Sequence, residues 1–540
     1  MSTKVATQVG HPVPPAPRHS VTVHMPTWKD VENFAEDPAA AVATYKNTYP
    51  RMAPHRDIGE LSEAVLQLLG TPDQGCLLFA SLQSATECIT YSTSTRRDNG
   101  CDKIPVPADH IGIKAFIAKD TFFAVVFPLE HATVVRQFWK IPGAGISSRF
   151  AEANLKHKLV AVALPKREGL RLTFDDEAHE ELRKRILRYL CRAPLDPRSL
   201  QPKPSTNDIY FFQTGMASIY KTHSYLLQIY GGVTVIFGMA FVNTIDVMEG
   251  FGPGYKLFGR GDESDLRDLE TLLENERQNG RKVQAIWTDF PSNPLLVTPD
   301  IVRLRKLANE YDTILVIDDT IGSWSNIDIM SMADILITSL TKTFNGYADA
   351  IAGSAIINPA SPKYAEFKSL FDKHYVPELY VDDVVAIEKN SRDYLSRTTK
   401  LSHNAWTLAE YLHSRSKEPG SSIVAVYYPT INPSIANYKQ FMRPATDDFT
   451  PGYGCLFSVE FKDILTAVAF FDALNVHKGA HLGAPFTLAF PFTLGVYYRK
   501  LDWVAQYGLK PTQIRVSVGL EDTETLVEEF RVAVEAADAV

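Results

Sequence analysis

The chain has 540 residues, 45% hydrophobic and 22% charged, with a formal net charge of −8. That is the profile of a globular protein with more than one core, and it excludes a disordered or fibrous chain. No long basic run offers nucleic acid a phosphate-binding stripe, and no uninterrupted apolar stretch is long enough to span a bilayer.

The first twenty residues, MSTKVATQVGHPVPPAPRHS, lack an apolar targeting core and are rich in Pro, Ser and Thr. They suit an extended arm, expected to pack on a neighbouring subunit. Cys76, Cys88, Cys101, Cys191 and Cys455 are odd in number and have no CxxC spacing. A reducing, cytoplasmic setting is expected, with neither a disulfide framework nor a zinc site. From about Leu61 to Leu200, strand-like runs (Phe122–Phe127, Leu159–Leu164) mix with a helical pattern at Glu180–Leu190. This region offers no catalytic constellation; His110, His131 and His157 are scattered without ligand spacing, and no metal site is expected. The Pro-rich text APLDPRSLQPKPSTND marks the first boundary.

Beyond it, strands are predicted at Ile209–Phe212, Val233–Phe237, Gln284–Thr288, Thr313–Ile317 and Ile335–Ser339, with helices at Met216–Gln228 and Ile301–Glu310. This alternation predicts a mostly parallel α/β sheet. A helical segment near Asp382–Ser414 leads to strands at Ile423–Tyr428, Gly454–Phe461 and Gln513–Gly519 and a helix from about Thr523, read as a smaller α+β domain. The expected division is an arm and accessory region over 1–204, an α/β domain over 205–380, and a linking helix with the C-terminal domain over 381–540.

Ligands of an open parallel sheet bind beyond the carboxyl ends of its strands. Four exits carry chemistry. Thr214-Gly215-Met216 starts a helix whose first N–H groups, with the Thr214 hydroxyl, can cradle a phosphate. Pro291-Ser292-Asn293-Pro294 fixes a loop whose Asn293 amide can meet a ligand hydroxyl or simply cap a turn. Asp318 and Asp319 end an apolar strand on opposite faces, and Asp318 is placed in the site; paired acids of this kind can also hold Mg²⁺. Lys342 follows a buried strand, flanked by the hydroxyls of Ser339 and Thr341, and is suited to condense with an aldehyde.

Taken in order, the texts GHPVPPAPRHSVTVHMPTW, FFQTGM, WTDFPSNPLL, VIDDTIG, SLTKTFNG and QIRVSVGLEDTETLVEEF resemble one group over most of the chain. It is the Cys/Met-metabolism family of pyridoxal-phosphate enzymes, and within it the fungal cystathionine γ-synthases. The resemblance implies fold type I, the aspartate-aminotransferase-like architecture. It also implies that Lys342 anchors pyridoxal 5′-phosphate as a Schiff base and shuttles protons, while Asp318 faces the ring nitrogen. Thr214, Gly215, Met216, Ser339 and Thr341 would surround the phosphate, and Arg515 would clamp the substrate carboxylate. The family lends an arginine to a neighbour's phosphate, implying a homodimer or homotetramer; Arg149 in Ile146-Ser147-Ser148-Arg149 is the expected residue, with Tyr49-Pro50-Arg51 as the alternative.

Two departures bear on the substrate. Tyr230-Gly231-Gly232 imitates the text of the usual stacking tyrosine but comes too early, and counting along the strand puts Phe241 in the stacking slot. Relatives place a serine before Leu-Gly where this chain has His481. The reaction implied is γ-elimination and γ-replacement on an O-acyl-homoserine, with cysteine as acceptor. The alternatives are γ-substitution by a carbon or other nucleophile, yielding an unusual amino acid of secondary metabolism, and an inert cofactor-binding scaffold.

Overall fold

The computed structural model describes residues 5, 7–50, 52–95, 104–165 and 174–540. Three sheets organise them. In the accessory region, β1 (Gln74–Phe79), β2 (Gly112–Ile117), β3 (Thr121–Pro128) and β4 (Val160–Val162) form an antiparallel sheet in the order β1-β3-β2-β4.

The central sheet contains β5 (Ile209–Phe212), β6 (Thr234–Phe237), β7 (Tyr255–Phe258), β8 (Ala285–Asp289), β9 (Ile314–Asp318), β10 (Ile335–Thr338) and β11 (Gly353–Ile357), in the order β5-β11-β10-β9-β8-β6-β7. Only β11 runs against its neighbours. The inner strands are apolar almost throughout because both faces are covered. Ile236, Trp287, Ile314, Val316 and Ile337 pack into one core, and Val235, Ile286, Leu315, Ile317 and Leu336 into another. This alternation decides where the polar residues at the strand ends point. Asp289 and Asp318 continue the first series and Asp319 the second.

The third sheet holds β12 (Ile423–Tyr427), β13 (Leu456–Phe461), β14 (His477–Lys478), β15 (Leu488–Phe490) and β16 (Gln513–Ser517) in the order β12-β13-β16-β15-β14. It is flanked by the helices Tyr394–Arg415 and Thr523–Asp538.

The arm is extended, as expected, and its residues 21–25 pack on its own chain. The N–H of Val21 donates to the Ala348 carbonyl at 2.8 Å and that of Met25 to the Lys478 carbonyl at 3.1 Å. Val13, Val21, Val23 and Met25 are buried. Among the described residues no helix is long and apolar enough to cross a membrane.

Candidate active site

The exits of β8, β9 and β10, the start of the helix Gly215–Leu226 and the middle of β16 open on one cavity of about 300 Å³. Its lining includes Thr214, Gly215, Met216, Phe241, Asn293, Asp318, Ser339, Thr341, Lys342 and Arg515. These side chains, spread over some three hundred positions of sequence, therefore converge.

Thr214 is the N-cap of the helix Gly215–Leu226, its hydroxyl oxygen accepting the Ala217 N–H at 2.8 Å. The first N–H groups of a helix have no intrahelical acceptor, and the dipole there favours an anion. Gly215 is required by contact: a Cβ would stand 2.7 Å from the Ser339 side chain, so helix start and lysine loop meet with no room to spare. The Ser339 N–H is held by the Thr320 hydroxyl at 2.8 Å. The Thr341 hydroxyl exchanges hydrogen bonds with the backbone of Ala352, fixing the lysine loop to the entry of β11.

Lys342 donates from Nζ to the Tyr49 hydroxyl at 2.7 Å and lies over that ring, 4.9 Å from its centroid. Asp318 accepts the Thr320 N–H at 2.9 Å; burial holds its carboxyl above the usual range, opposed by the hydrogen bonds from Thr320. Its neighbour Asp319 is fully buried on the other face, takes a 2.5 Å hydrogen bond from Thr338, and is pushed up to about 8 by burial. Arg515 donates to Asn293 Oδ1 at 3.1 Å and to the Ala480 carbonyl at 2.6 Å. Its guanidinium stacks 4.2 Å from the Phe492 ring centroid, and burial lowers its pKa to about 10.

Arg149, expected to serve a neighbouring chain's phosphate, stands outside its own chain's cavity and donates to the Asp349 carbonyl at 2.7 Å and to the buried Asp383 at 3.1 Å. Tyr49 instead brings the Tyr49-Pro50 text into the cavity, while Arg51 lies outside the described residues. The Tyr230 hydroxyl donates to Glu366, away from the site that Phe241 lines. His481 is buried beside Tyr49, ring centroids 6.1 Å apart, behind the lining residues Ala480 and Leu482. Neither ring nitrogen has a partner among the described residues; burial, then the charges of Lys342 and Arg515, keep the imidazole neutral. His110 and His131, expected to be scattered, meet at the surface at 3.2 Å beside Glu130, because the β2–β3 hairpin returns the chain to the same edge.

Two residues of the site lay outside the sequence reading, and a third, Tyr49, entered it only as part of the alternative to Arg149. Asp289 lines the cavity next to Asp318. Tyr49 touches the lysine, and its only signal was the text before Arg51. Arg397, fifty-five positions after Lys342, donates to the carbonyls of Thr343 and Phe344 and holds the lysine loop. No local pattern marks it.

Residues 204–535 match the family described as Cys/Met metabolism PLP-dependent enzyme, and residues 57–147 match the fungal trans-sulfuration enzyme N-terminal domain. The chain belongs to the Cys/Met metabolism PLP-dependent enzyme family. Its relatives include the cystathionine gamma-synthase-like enzyme iboG2 of Amanita muscaria, 31% identical over 98% of this chain and 96% of the relative. The alanine racemase ungC of Aspergillus violaceofuscus is 32% identical over 98% and 97%, and the cystathionine gamma-synthase of Neurospora crassa 30% identical over 98% and 98%. A crystal structure of cystathionine gamma-lyase from Lactobacillus plantarum superposes with a TM-score of 0.54 at 19% identity, covering 70% of this chain and 91% of that one, and shows the fold. The chain is thus a fold-type-I enzyme that uses pyridoxal phosphate, a transferase or lyase of cystathionine γ-synthase-like type. The cavity fits that cofactor: a helix start without a Cβ faces Ser339, a cavity-facing carboxylate ends β9, and a lysine opens on the same space.

Proposed function

We propose that the chain catalyses γ-elimination and γ-replacement on an O-acyl-homoserine, with cysteine as the acceptor. What carries this reading is that Lys342, Asp318 and Arg515 open on one cavity in a chain similar end to end to the Neurospora crassa cystathionine gamma-synthase. Thr214, Gly215, Met216, Ser339 and Thr341 would hold the cofactor phosphate, Phe241 would cover the ring and Asp318 would face its nitrogen. When bound, the cofactor supplies an electron sink that acidifies the Cα–H bond.

The chain's own groups do the rest. Arg515 binds the α-carboxylate through its planar fork, already oriented by Asn293 and Ala480. Lys342 Nζ takes the proton from Cα and then serves Cβ, its loop fixed by Thr341 on the Ala352 backbone and by Arg397 on the Thr343 and Phe344 carbonyls. The Tyr49 hydroxyl accepts a hydrogen bond from that amine and sets its direction. Leu482, Phe490 and Phe492 exclude water from the opposite wall. In the net reaction the Cγ–O bond breaks, the acyl group leaves as a carboxylic acid with the thiol proton, and the Cγ–S bond forms.

A second reading is favoured by two observations. His481, behind the lining residues Ala480 and Leu482, buries two ring nitrogens with no partner among the described residues, and Phe241, which lines the cavity, lacks a phenol for a second substrate to meet. A carbon or other nucleophile would then replace cysteine.

The deciding experiment incubates purified protein with O-acetyl- or O-succinyl-homoserine, with and without cysteine, and identifies products by mass. Cystathionine is expected, together with loss of the visible band of lysine-bound cofactor in Lys342→Ala. Product only when a carbon nucleophile is supplied selects the second reading. Interconversion of alanine enantiomers without any acyl release overturns both.

A further inference from the structure

We infer that Asp289 is a positioning residue for the cofactor ring, acting as a neutral acid that joins the carboxylate facing the ring nitrogen to the backbone of the residue covering the ring face. The inference rests on the roles proposed above for Asp318 and Phe241.

Asp289 is the last residue of β8 and Asp318 the last of β9, and the two are register partners in the parallel ladder. Paired residues of adjacent strands stand on the same face, and both side chains line the cavity. Asp289 is 9% exposed. Its Oδ2 accepts the N–H of Phe241 at 3.1 Å, and Phe241 is the N-cap of the helix Val242–Gly250. One carboxyl therefore holds the backbone of the residue proposed to cover the ring and stands, in register and on the same face, beside the carboxyl proposed to meet its nitrogen.

Two carboxylates side by side in a buried site do not both ionise cheaply, so one keeps its proton. Burial, reinforced by the negative charge of Asp318, pushes Asp289 well above the usual carboxylate range, while the Phe241 N–H opposes this. A protonated Asp289 has one oxygen to accept the Phe241 N–H and one O–H to give to Asp318. Asp318 then remains the ionised member, free to meet a ring N–H. With the charge on Asp289 instead, the anion would sit against the Phe241 N–H and Asp318 would face the ring as a neutral acid, unable to accept a ring N–H as an anion.

The amide of Asn reproduces both contacts of the neutral acid, oxygen toward Phe241 and NH₂ toward Asp318, whereas Ala reproduces neither. The test titrates pyridoxal phosphate into the purified apo forms of wild type, Asp289→Asn and Asp289→Ala, and records cofactor Kd and the visible band. Asp289→Asn is expected to stay within about threefold of wild type with the same band. Asp289→Ala is expected to weaken binding by about tenfold or more and to shift the band, as loss of a buried hydrogen-bonded group requires. Asp289→Asn as impaired as Asp289→Ala would mean that the anion matters and would overturn the neutral-acid role. Wild-type behaviour of Asp289→Ala would overturn any role.

Should Asp289→Ala not fold, Asp289→Ser takes its place, and Asp289→Asn alone still separates neutral from charged. Asp318→Asn distinguishes the two levels of argument. If it leaves Kd and band unchanged, the ring-nitrogen reading itself falls; if it weakens binding while Asp289→Ala does not, only the present inference falls.

Discussion

Asp318 and Asp319 are chemically identical neighbours, and one step along a strand gives them different work. Asp318 faces the cavity with a Thr320 N–H on one oxygen. Asp319 is enclosed on the other face, with Thr338 on one oxygen and nothing on the second among the described residues. That environment carries a pH signature. An acid whose folded-state pKa of about 8 lies above its unfolded value binds its proton more tightly when folded. Its contribution to stability is full below about pH 4, falls across the window between about 4 and 8, and is gone above it. Asp319→Asn keeps the hydrogen bond with Thr338 and has no proton to lose. Melting temperatures of the two proteins measured from pH 5 to pH 9 should diverge up to about pH 8, wild type falling relative to the variant as pH rises, and run parallel above it. Parallel profiles would show that Asp319 does not titrate in this window.

At the scale of elements, the decisive piece is the loop between β10 and β11, and it shows what a sequence can and cannot reveal. The position of β10 and of the lysine after it is legible, because a buried strand is an apolar run and its exit is where polarity returns. The strand directions are not: Gly353–Ile357 has the same apolar character as β10 yet runs antiparallel, and periodicity carries no direction. The accessory sheet was legible only at β3 and β4. The groups that hold the loop are illegible for another reason, since Arg397 comes from a distant helix whose register against the loop depends on the whole packing. Its guanidinium donates to Thr343 O at 2.6 Å, Phe344 O at 3.3 Å and Asn390 O at 3.1 Å. Gly346 is the position that lets it in: its φ is +71°, and a Cβ there would collide with the Arg397 guanidinium. Gly346→Ala thus adds left-handed strain of about 1 kcal/mol to the expulsion of a buried, hydrogen-bonded cation. Urea unfolding should show a loss of about 3 kcal/mol, and the cofactor affinity of the folded fraction should drop with it. A variant with wild-type midpoint and affinity would mean that Arg397 is not what sets the lysine loop.

For the whole molecule, the question is how the N-terminal region is joined to the central sheet, since the helix Gly215–Leu226, proposed to hold the cofactor phosphate, is also the helix that carries the joint. Lys221, six residues after Gly215, is 2% exposed and pairs with Glu87 of the accessory helix Leu82–Thr93 at 2.7 Å. Burial alone would lower its pKa, but the charges of Glu87 and Glu378 outweigh this and keep it raised. Glu378 in turn accepts hydrogen bonds from Ser81 at 2.5 Å and Ser84 at 3.1 Å. Removing one partner of a buried pair strands the other charge, which costs more than the pair itself contributes. Because the Glu87 side chain is still 25% exposed, water relieves part of that cost, and Glu87→Gln should destabilise by about 2 kcal/mol rather than the larger value of a sealed pair. Lys221→Met should cost a similar amount by leaving Glu87 facing an apolar wall. The double variant Glu87→Leu with Lys221→Met replaces the pair by apolar groups of similar size, and its urea midpoint should recover most of the loss. Since the strain of a stranded Lys221 falls on the helix that begins at Gly215, cofactor affinity should weaken in Glu87→Gln and return in the double variant. Additive losses without recovery would mean that the ion pair itself, and not the avoidance of a lone buried charge, holds the two regions together.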